Sequence, residues 1–293
     1  MANAKAIKSK IKSIWNIQKI TSALEIVSTV KLQKLKEQTD NFKKYMIEFI
    51  YIINKVWYAS NIFSFVQNIK SERELIVVIS TEKWLCWALN SKLFREIYEK
   101  TKDIKDNIDV FCVWKKALEF FSRSWYNIVW AEHIKDNFSE EDLNKTKAMV
   151  FKSIEDLKYK KIKLYYNYFK NSMIQIPSWL QIFPLNSSNV NDFFENIWLK
   201  IEEKNDNIQD IDIEHSEEDF YEFVYKKFVF DIIYGSLLQN KTWEHASRMI
   251  AMKNAKDNSI DIQKDLKITY NKQRQSAVTQ EISEITWAKA AME

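Results

Sequence analysis

Glycine is nearly absent from this sequence. Average usage, roughly 7%, would give ~20 glycines in a chain of this length, but Gly235 is the only one, and there are eleven tryptophans. Trp84, Trp87, Trp114 and Trp125 stand in polar, turn-like contexts where glycine usually supplies a positive φ. Some bacterial lineages read the codon UGA as glycine. We therefore predict that most of these tryptophans are glycines in the native protein; the alternative is a protein that is rich in tryptophan.

Groups that carry chemistry are also scarce. Cys86 and Cys112 have no paired spacing, and His133, His215 and His245 have no metal-ligating neighbour four residues on. Even with every tryptophan read as glycine, no Rossmann fingerprint or phosphate-binding loop results. The sequence therefore predicts no catalytic residue, no metal site and no bound cofactor.

The sequence has no apolar run of about eighteen residues, the length that a membrane-spanning helix requires. Lysines near the start are not followed by the apolar stretch of a signal peptide, so we expect no insertion into a membrane. The net charge of +4 is uneven, because residues 1–36 hold eight lysines and one acid, whereas residues 202–222 hold ten acids and one lysine. This asymmetry predicts different partners for the two regions.

Both ends of the chain have helical patterns. Residues 1–56 contain neither proline nor glycine, and a helix of that length would extend ~84 Å, so it needs a partner helix. Its apolar residues recur at steps of three and four, with one three-residue break in phase, and predict a coiled-coil seam at Ile7, Ile11, Ile14, Ile17, Ile20, Leu24 and Val27. From Glu217 onward a second long helix has a predicted seam at Ile262, Leu266, Val278, Ile282 and Ile285.

The middle of the chain alternates between strand and helix patterns. Buried strands are predicted at 75–80 and 109–113, and adjacent strands at 164–170 and 173–185; both prolines fall in the last, which favours an edge strand. Helices are predicted at 91–102, 117–121 and 139–163. The fold class is thus α/β plus long helices: an antiparallel coiled coil of the terminal helices (1–58 and 210–293) with an inserted Rossmann-like α/β lobe (72–200).

Four segments resemble the γ subunits of bacterial F-type ATP synthases. Residues 4–11 (AKAIKSKI) and 16–25 (NIQKITSALE) resemble the opening of that family, which usually has methionine at the position of Leu24. Residues 244–255 (EHASRMIAMKNA) and 270–282 (YNKQRQSAVTQEI) resemble its C-terminal signature. Residues 83–90 match its Lys-Gly-Leu-Cys-Gly pattern if Trp84 and Trp87 are glycines, and Trp287 also falls where the family has glycine.

The resemblance implies a rotor subunit that is not itself an enzyme. The paired helices would stand inside a ring of three α and three β subunits and couple ion-driven rotation to ATP synthesis or hydrolysis on that ring. Further implied partners are the ε subunit and the membrane c-ring, with the protein peripheral on the cytoplasmic face of the plasma membrane and not bound to nucleic acid. The implied partner contacts are Lys8, Lys10 and Lys19 (acidic β loops), Leu24 and Arg248 (coupling region), Arg274, Gln275, Thr279 and Glu281 (ring loops) and Glu214 (the foot that meets ε and the c-ring).

Two other classes of protein fit parts of the pattern. The basic first helix and the inserted lobe would also suit a coiled-coil structural protein that organises DNA, for which binding would depend strongly on salt. A small α/β enzyme with helical arms would need the phosphate loop or catalytic cluster that the sequence lacks. Neither alternative predicts the motifs at the two ends.

Overall fold

The computed structural model describes residues 2–57, 71–82, 87–135, 138–169, 175–185 and 217–292. Contacts divide the chain into two units, Met1–Lys31 with Arg248–Glu293, and Leu32–Ser247. The elements are α1 (Ala2–Trp57), β1 (Glu74–Ile79), α2 (Trp87–Thr101), β2 (Ile108–Val113), α3 (Lys115–Arg123), β3 (Asn127–Glu132), α4 (Asn144–Glu155), β4 (Lys161–Phe169), β5 (Gln175–Phe183) and α5 (Glu217–Ala290), with short 3₁₀ helices at Lys102–Asn107 and Glu141–Leu143.

The second unit contains a five-stranded sheet in the order β3-β2-β1-β4-β5. The first four strands are parallel, and β5 pairs antiparallel with β4 at one edge. The predicted strands are confirmed, including the edge position of the proline-containing one. Strand β3 was not predicted, because its six residues lie at the opposite edge, where partial exposure removes the continuous apolar run that marks a buried strand.

Alternate residues of the central strand β1 belong to two separate hydrophobic cores, one on each face of the sheet. Ile76 and Val78 face α2 and α3, whereas Leu75, Val77 and Ile79 face α4, α5 and Met46 of α1. These five side chains are fully buried. Parallel strands that are buried on both faces typically have such a continuous apolar, β-branched run. Helix α5, which packs against one face of the sheet, is itself buried on nearly all sides between residues 228 and 246.

The helix predicted over 139–163 is wrong at its C-terminal end. Helix α4 ends at Glu155 and Leu157 takes a φ of 46°. The Leu157 N–H donates to the Ile154 carbonyl and the Lys158 N–H to the Ser153 carbonyl, the two bonds of a Schellman motif. The turn reverses the chain into β4, which begins at Lys161 rather than at the predicted residue 164.

Helix α3 ends in the same way at a tryptophan. The Trp125 N–H donates to the Ser122 carbonyl and the Tyr126 N–H to the Phe121 carbonyl, so Trp125 holds the left-handed position of a second Schellman motif, with φ 61°. Trp114, just before α3, has φ 70° and ψ 158°, a region that is essentially restricted to glycine. Two of the eleven tryptophans therefore occupy backbone positions that favour glycine.

The one glycine lies where α1 and α5 pack closely within the second unit. A Cβ atom on Gly235 would clash with Cε1 of Phe42. On either side, the Tyr45 hydroxyl donates to Asp231 at 2.8 Å, and the hydroxyls of Thr39 and Thr242 are 3.2 Å apart. The Phe42 ring occupies the space that a side chain at position 235 would need.

We expect Gly235→Ala to destabilise the chain despite the higher helix propensity of alanine. Overpacking costs about 1–3 kcal/mol, while the propensity gain is about 1 kcal/mol, so the net loss of unfolding free energy is at most about 2 kcal/mol. Thermal unfolding of Gly235→Ala, of Phe42→Leu and of the double variant measures the coupling free energy between the two positions. If the two substitutions are additive, the contact with Phe42 is not the cause.

Within the described part of the chain, no helix has a stretch long and apolar enough to cross a membrane. Most of the acidic stretch 202–222, including Glu214, lies outside the described residues, as do Cys86 and the 83–86 part of the predicted family motif.

Candidate partner-binding surface

The first unit is a pair of helical segments, 2–31 of α1 and 248–290 of α5, that meet along a heptad seam. Seam positions are buried or half-buried at steps of three and four. On α1 they are Ile7, Ile11, Ile14, Gln18, Thr21, Glu25 and Ser28, and on α5 they are Met252, Lys256, Ser259, Gln263, Leu266, Tyr270, Gln273 and Ala277.

Two polar contacts fix the direction of the pair. Lys256 Nζ lies 2.6 Å from Glu25 Oε2, and Gln263 Nε2 donates to Gln18 Oε1 at 2.9 Å. A heptad toward the N-terminus on α1 thus matches a heptad toward the C-terminus on α5, and the predicted antiparallel coiled coil is confirmed. A hydrogen bond to the Glu25 carboxylate raises the pKa of Lys256.

The second half of the predicted α1 seam is wrong. The residues at 17, 20, 24 and 27 each lie one position before a seam residue, about 100° round the helix. They are exposed, and the polar residues beside them are covered instead. We call the exposed apolar residues of this segment the outer stripe; they are 38–62% exposed and comprise Ile17, Ile20, Leu24, Ile26, Val27 and Val30.

The predicted seam of α5 fails in the same way. Of its five residues, Leu266 lies on the seam. The other four are 46–69% exposed, namely Ile262, Val278, Ile282 and Ile285. Every residue from 278 to 292 is exposed. Apolar side chains thus lie on the outside of both helices of the first unit.

A basic groove lies near the start of α1. It has a volume of about 590 Å³, and its lining includes four lysines and no carboxylate: Lys5, Lys8, Lys12, Lys267, Ser9, Ile11, Trp15 and Gln263. Lys19 lies outside the groove lining, with its Nζ 3.5 Å from the centre of the Trp15 ring. Clustered ammonium groups without acids attract carboxylates or phosphates.

The residues implied as partner contacts fall into three groups. Eight of them are exposed in the first unit, namely Lys8, Lys10, Lys19, Leu24, Arg274, Gln275, Thr279 and Glu281. Arg248 is only 5% exposed, so it can affect a partner only through its neighbours. Glu214 lies outside the described residues. Sequence reasoning missed Ile26 and Val30; the three-residue break in the apolar phase was the signal that the stripe leaves the seam.

The family model for ATP synthase matches residues 3–292. The ATP synthase gamma chain of Vesicomyosocius okutanii is 32% identical over 295 residues, covering 97% of each chain, and that of Stenotrophomonas maltophilia is 33% identical over 301 residues, covering both chains in full. The chain belongs to the ATP synthase γ chain family. This membership confirms the predicted role as the non-catalytic central-shaft subunit of an ATP synthase.

Solved structures share the fold of this γ chain at low sequence identity. A chain of the Euglena gracilis mitochondrial ATP synthase, from an assembly of OSCP, F1 and c-ring, has a TM-score of 0.66 and 18% identity, covering 99% of this chain and 95% of its own. A chain of the Tetrahymena thermophila central stalk and c-ring has a TM-score of 0.61 and 19% identity, covering 80% and 99%. The fold of helical termini with a central mixed α/β sheet is therefore shared with these chains of ATP synthases.

Among the described residues, no group of three or more histidines, cysteines or acids is placed to hold a metal ion. Burial raises the pKa of the Cys112 thiol to about 12, which keeps it protonated and unreactive at neutral pH. The features that stand out in the first unit are its exposed apolar side chains and its basic groove.

Proposed function

We propose that this γ chain turns inside a ring of three α and three β subunits, and that the outer stripe is the surface that the ring covers. The observation that supports this is the inverted polarity of α1 between Ile17 and Val30. A free coiled coil keeps its apolar residues on the seam. Here Gln18, Thr21, Glu25 and Ser28 are on the seam, and large apolar side chains are exposed beside them. Exposed apolar surface of this kind marks an interaction site.

The same polarity suits a surface that must slide. Apolar burial is non-directional, so the stripe can exchange one ring subunit for the next without breaking hydrogen bonds. A pair of helices has no threefold symmetry, and each orientation therefore presents different contacts to the three β subunits. Different contacts shift the conformational equilibrium of each β subunit differently, which couples rotation to nucleotide binding.

Charged and polar residues extend this interface. Lys8, Lys10 and Lys19 are exposed, and we assign them to acidic loops of the β subunits. The remaining assignments are Leu24 and Arg248 to the coupling region, Arg274, Gln275, Thr279 and Glu281 to polar ring loops, and Glu214 to the foot that meets the ε subunit and the membrane c-ring. In this arrangement the chain is peripheral, on the cytoplasmic face of the plasma membrane.

A native mass spectrum of the chain mixed with α and β subunits from the same source tests the proposal. We expect one copy to join each ring of three α and three β subunits. An intact ring that takes up no copy would contradict it. Binding of the chain to duplex DNA, falling steeply with added salt, would instead favour the DNA-organising alternative.

We also propose that most of the tryptophans in this sequence are glycines in the native protein, encoded by UGA. The support is conformational: Trp114 has the φ and ψ of a glycine, and Trp125 holds the left-handed Schellman position while its side chain is 86% exposed. The Trp114 indole itself is well packed, with Nε1 donating to the Ile134 carbonyl at 2.7 Å. At Trp114 only the backbone conformation favours glycine. Peptide masses of the chain purified from its source decide each position directly.

For the chain made with tryptophan, we expect Trp125→Gly to raise the unfolding free energy by about 1 kcal/mol, since a non-glycine residue in the left-handed region costs about 1–2 kcal/mol. Leu157→Gly, at the matching position after α4, should gain a similar amount. Trp179→Gly is the control, because it lies in strand β5, where glycine destabilises. Equal effects of all three substitutions in urea unfolding would show that backbone conformation does not decide the outcome.

A further inference from the structure

The sheet of the second unit has the strand order of a dinucleotide-binding fold. In such sheets ligands bind outside the carboxyl ends of the strands, where the strand order reverses. Here the order 3-2-1-4 reverses between β1 and β4. The crevice at this point lies beyond the last residues of those strands, next to Ser80 and Phe169.

Helix α5 occupies this crevice with two amide side chains. Asn240 Nδ2 donates to the Ser80 carbonyl at 2.5 Å, and Asn240 Oδ1 accepts from Asn167 Nδ2 at 3.2 Å. Gln239 Oε1 accepts from the Phe169 N–H at 3.3 Å. Asn240, Asn167 and Ser80 are fully buried, and Gln239 is nearly so.

The geometry at Asn240 requires both functions of an amide. Its nitrogen satisfies the carbonyl at the end of β1, and its oxygen satisfies an amide on β4, so one side chain joins both strands of the crevice to α5. An aspartate would lose the hydrogen bond to the Ser80 carbonyl, and a leucine would lose the bonds to both Ser80 and Asn167. Gln239 adds a third bond but joins α5 to β4 only.

We infer that the ligand crevice of this α/β lobe serves as a socket for α5, and that Asn240 is the positioning residue that makes the lobe turn with the shaft. The inference rests on the proposed function as a rotor. Torque applied to α5 reaches β1 and β4 through these buried, directional bonds, in addition to the apolar core that is packed around α5.

The test uses the assembled ATP synthase in membrane vesicles with Asn240→Asp, Asn240→Leu or, as control, Asn107→Leu, which changes an exposed asparagine of the lobe. The measured quantity is the number of ions taken up per ATP hydrolysed. We expect both Asn240 variants to keep hydrolysing ATP but to lose ion uptake per ATP, with the leucine variant losing more. The control should match the wild type.

A purely structural role gives a different result. Fewer complexes would assemble, and hydrolysis and uptake would fall together with their ratio unchanged, which would overturn the inference. Because the ratio refers to assembled complexes only, poor assembly does not prevent its measurement. If the wild-type chain itself fails to assemble, the rotor proposal fails, and that outcome is distinct from an unchanged ratio.

Hydrogen exchange on the isolated chain supplies a second measurement. The Phe169 amide donates to Gln239, the residue before Asn240. Loosening of the socket should speed exchange at Phe169 by about tenfold or more in Asn240→Leu and leave it unchanged in Asn107→Leu. Exchange at the wild-type rate in Asn240→Leu would show that Asn240 does not hold the lobe on α5.

Discussion

Replacing Ile20 and Val27 together with glutamine is expected to weaken the binding of the chain to a ring of α and β subunits while leaving its own stability unchanged. Both side chains are more than half exposed in the free chain, and surface substitutions of this kind change stability by about 0.5 kcal/mol or less. Full burial of such a side chain contributes about 1.5–3 kcal/mol, so covering the exposed half of both contributes about 1.5–3 kcal/mol in total. The double variant should therefore bind the ring about ten- to a hundredfold more weakly.

The matched control is Ile104→Gln, an isoleucine of similar exposure in the 3₁₀ helix after α2. It should assemble as the wild type does. Native mass spectra over a concentration series measure the affinity, and thermal unfolding of the free chains measures the stability. Wild-type affinity of the double variant would show that the ring does not cover the outer stripe.

Asp109→Ala is expected to cause the largest loss of stability in the α/β lobe, about 3–5 kcal/mol. The Asp109 carboxylate is buried at the start of β2. It accepts hydrogen bonds from Arg73, from Asn127 Nδ2 at 2.7 Å and from the Tyr159 hydroxyl at 2.9 Å. These three donors come from the segment before β1, from β3 and from the turn before β4, so removing the acceptor leaves donors without a partner in three segments.

Acid should weaken the wild type more than Asp109→Asn. Burial alone would raise the pKa of Asp109, but the hydrogen bonds from Arg73, Asn127 and Tyr159 outweigh it and hold the pKa below its ordinary value. A depressed pKa means that the stabilisation is complete above the unfolded value, about 3.9, and is lost as the pH falls through the folded value. The difference in unfolding free energy between wild type and Asp109→Asn should therefore be constant above about pH 5 and shrink below pH 4.

Urea unfolding from pH 2 to pH 7 measures this difference. Tyr159→Phe is a useful companion, because it removes one donor and keeps the charge; it should cost less than Asp109→Ala and retain most of the acid dependence. A difference that stays constant down to pH 2 would mean that the carboxylate is not the group that titrates.

The sequence pattern predicted most of the helices and strands, but not β3 and not which helix faces are covered. The β-branched run of β1 and the proline in β5, Pro177, each determine a local environment, buried on both faces or at an edge, so the positions of these strands could be predicted. Helical periodicity in α1 instead shows only that apolar residues share a face. That shared face could be covered by α5 or by another protein, and the pattern around Ile20 does not distinguish the two. The seam pair Glu25–Lys256 joins residues 231 positions apart, which no local pattern can indicate.

The partner contacts could not be predicted from the pattern of residue types alone. Arg274, Gln275, Thr279 and Glu281 are exposed polar residues on a helix, and nothing in their spacing distinguishes them from a solvated face. Their assignment depends on resemblance to the family. By contrast, Asn240 has a signature in the structure, since a fully buried amide inside a helix must satisfy its donor and its acceptor elsewhere.

The polar seam of the first unit has a consequence for alignment. If α5 slid along α1 by one heptad, so that Lys256 faced Gln18, its ammonium would lose its carboxylate and Glu25 would lose its ammonium. An apolar seam of repeated isoleucines would tolerate that shift, because each residue would meet another of the same kind, whereas polar seam residues specify a single register. The polar seam thus contributes less apolar stabilisation between the two helices, but it fixes their alignment. A shaft that is twisted repeatedly keeps its length only if its two helices cannot slide along each other.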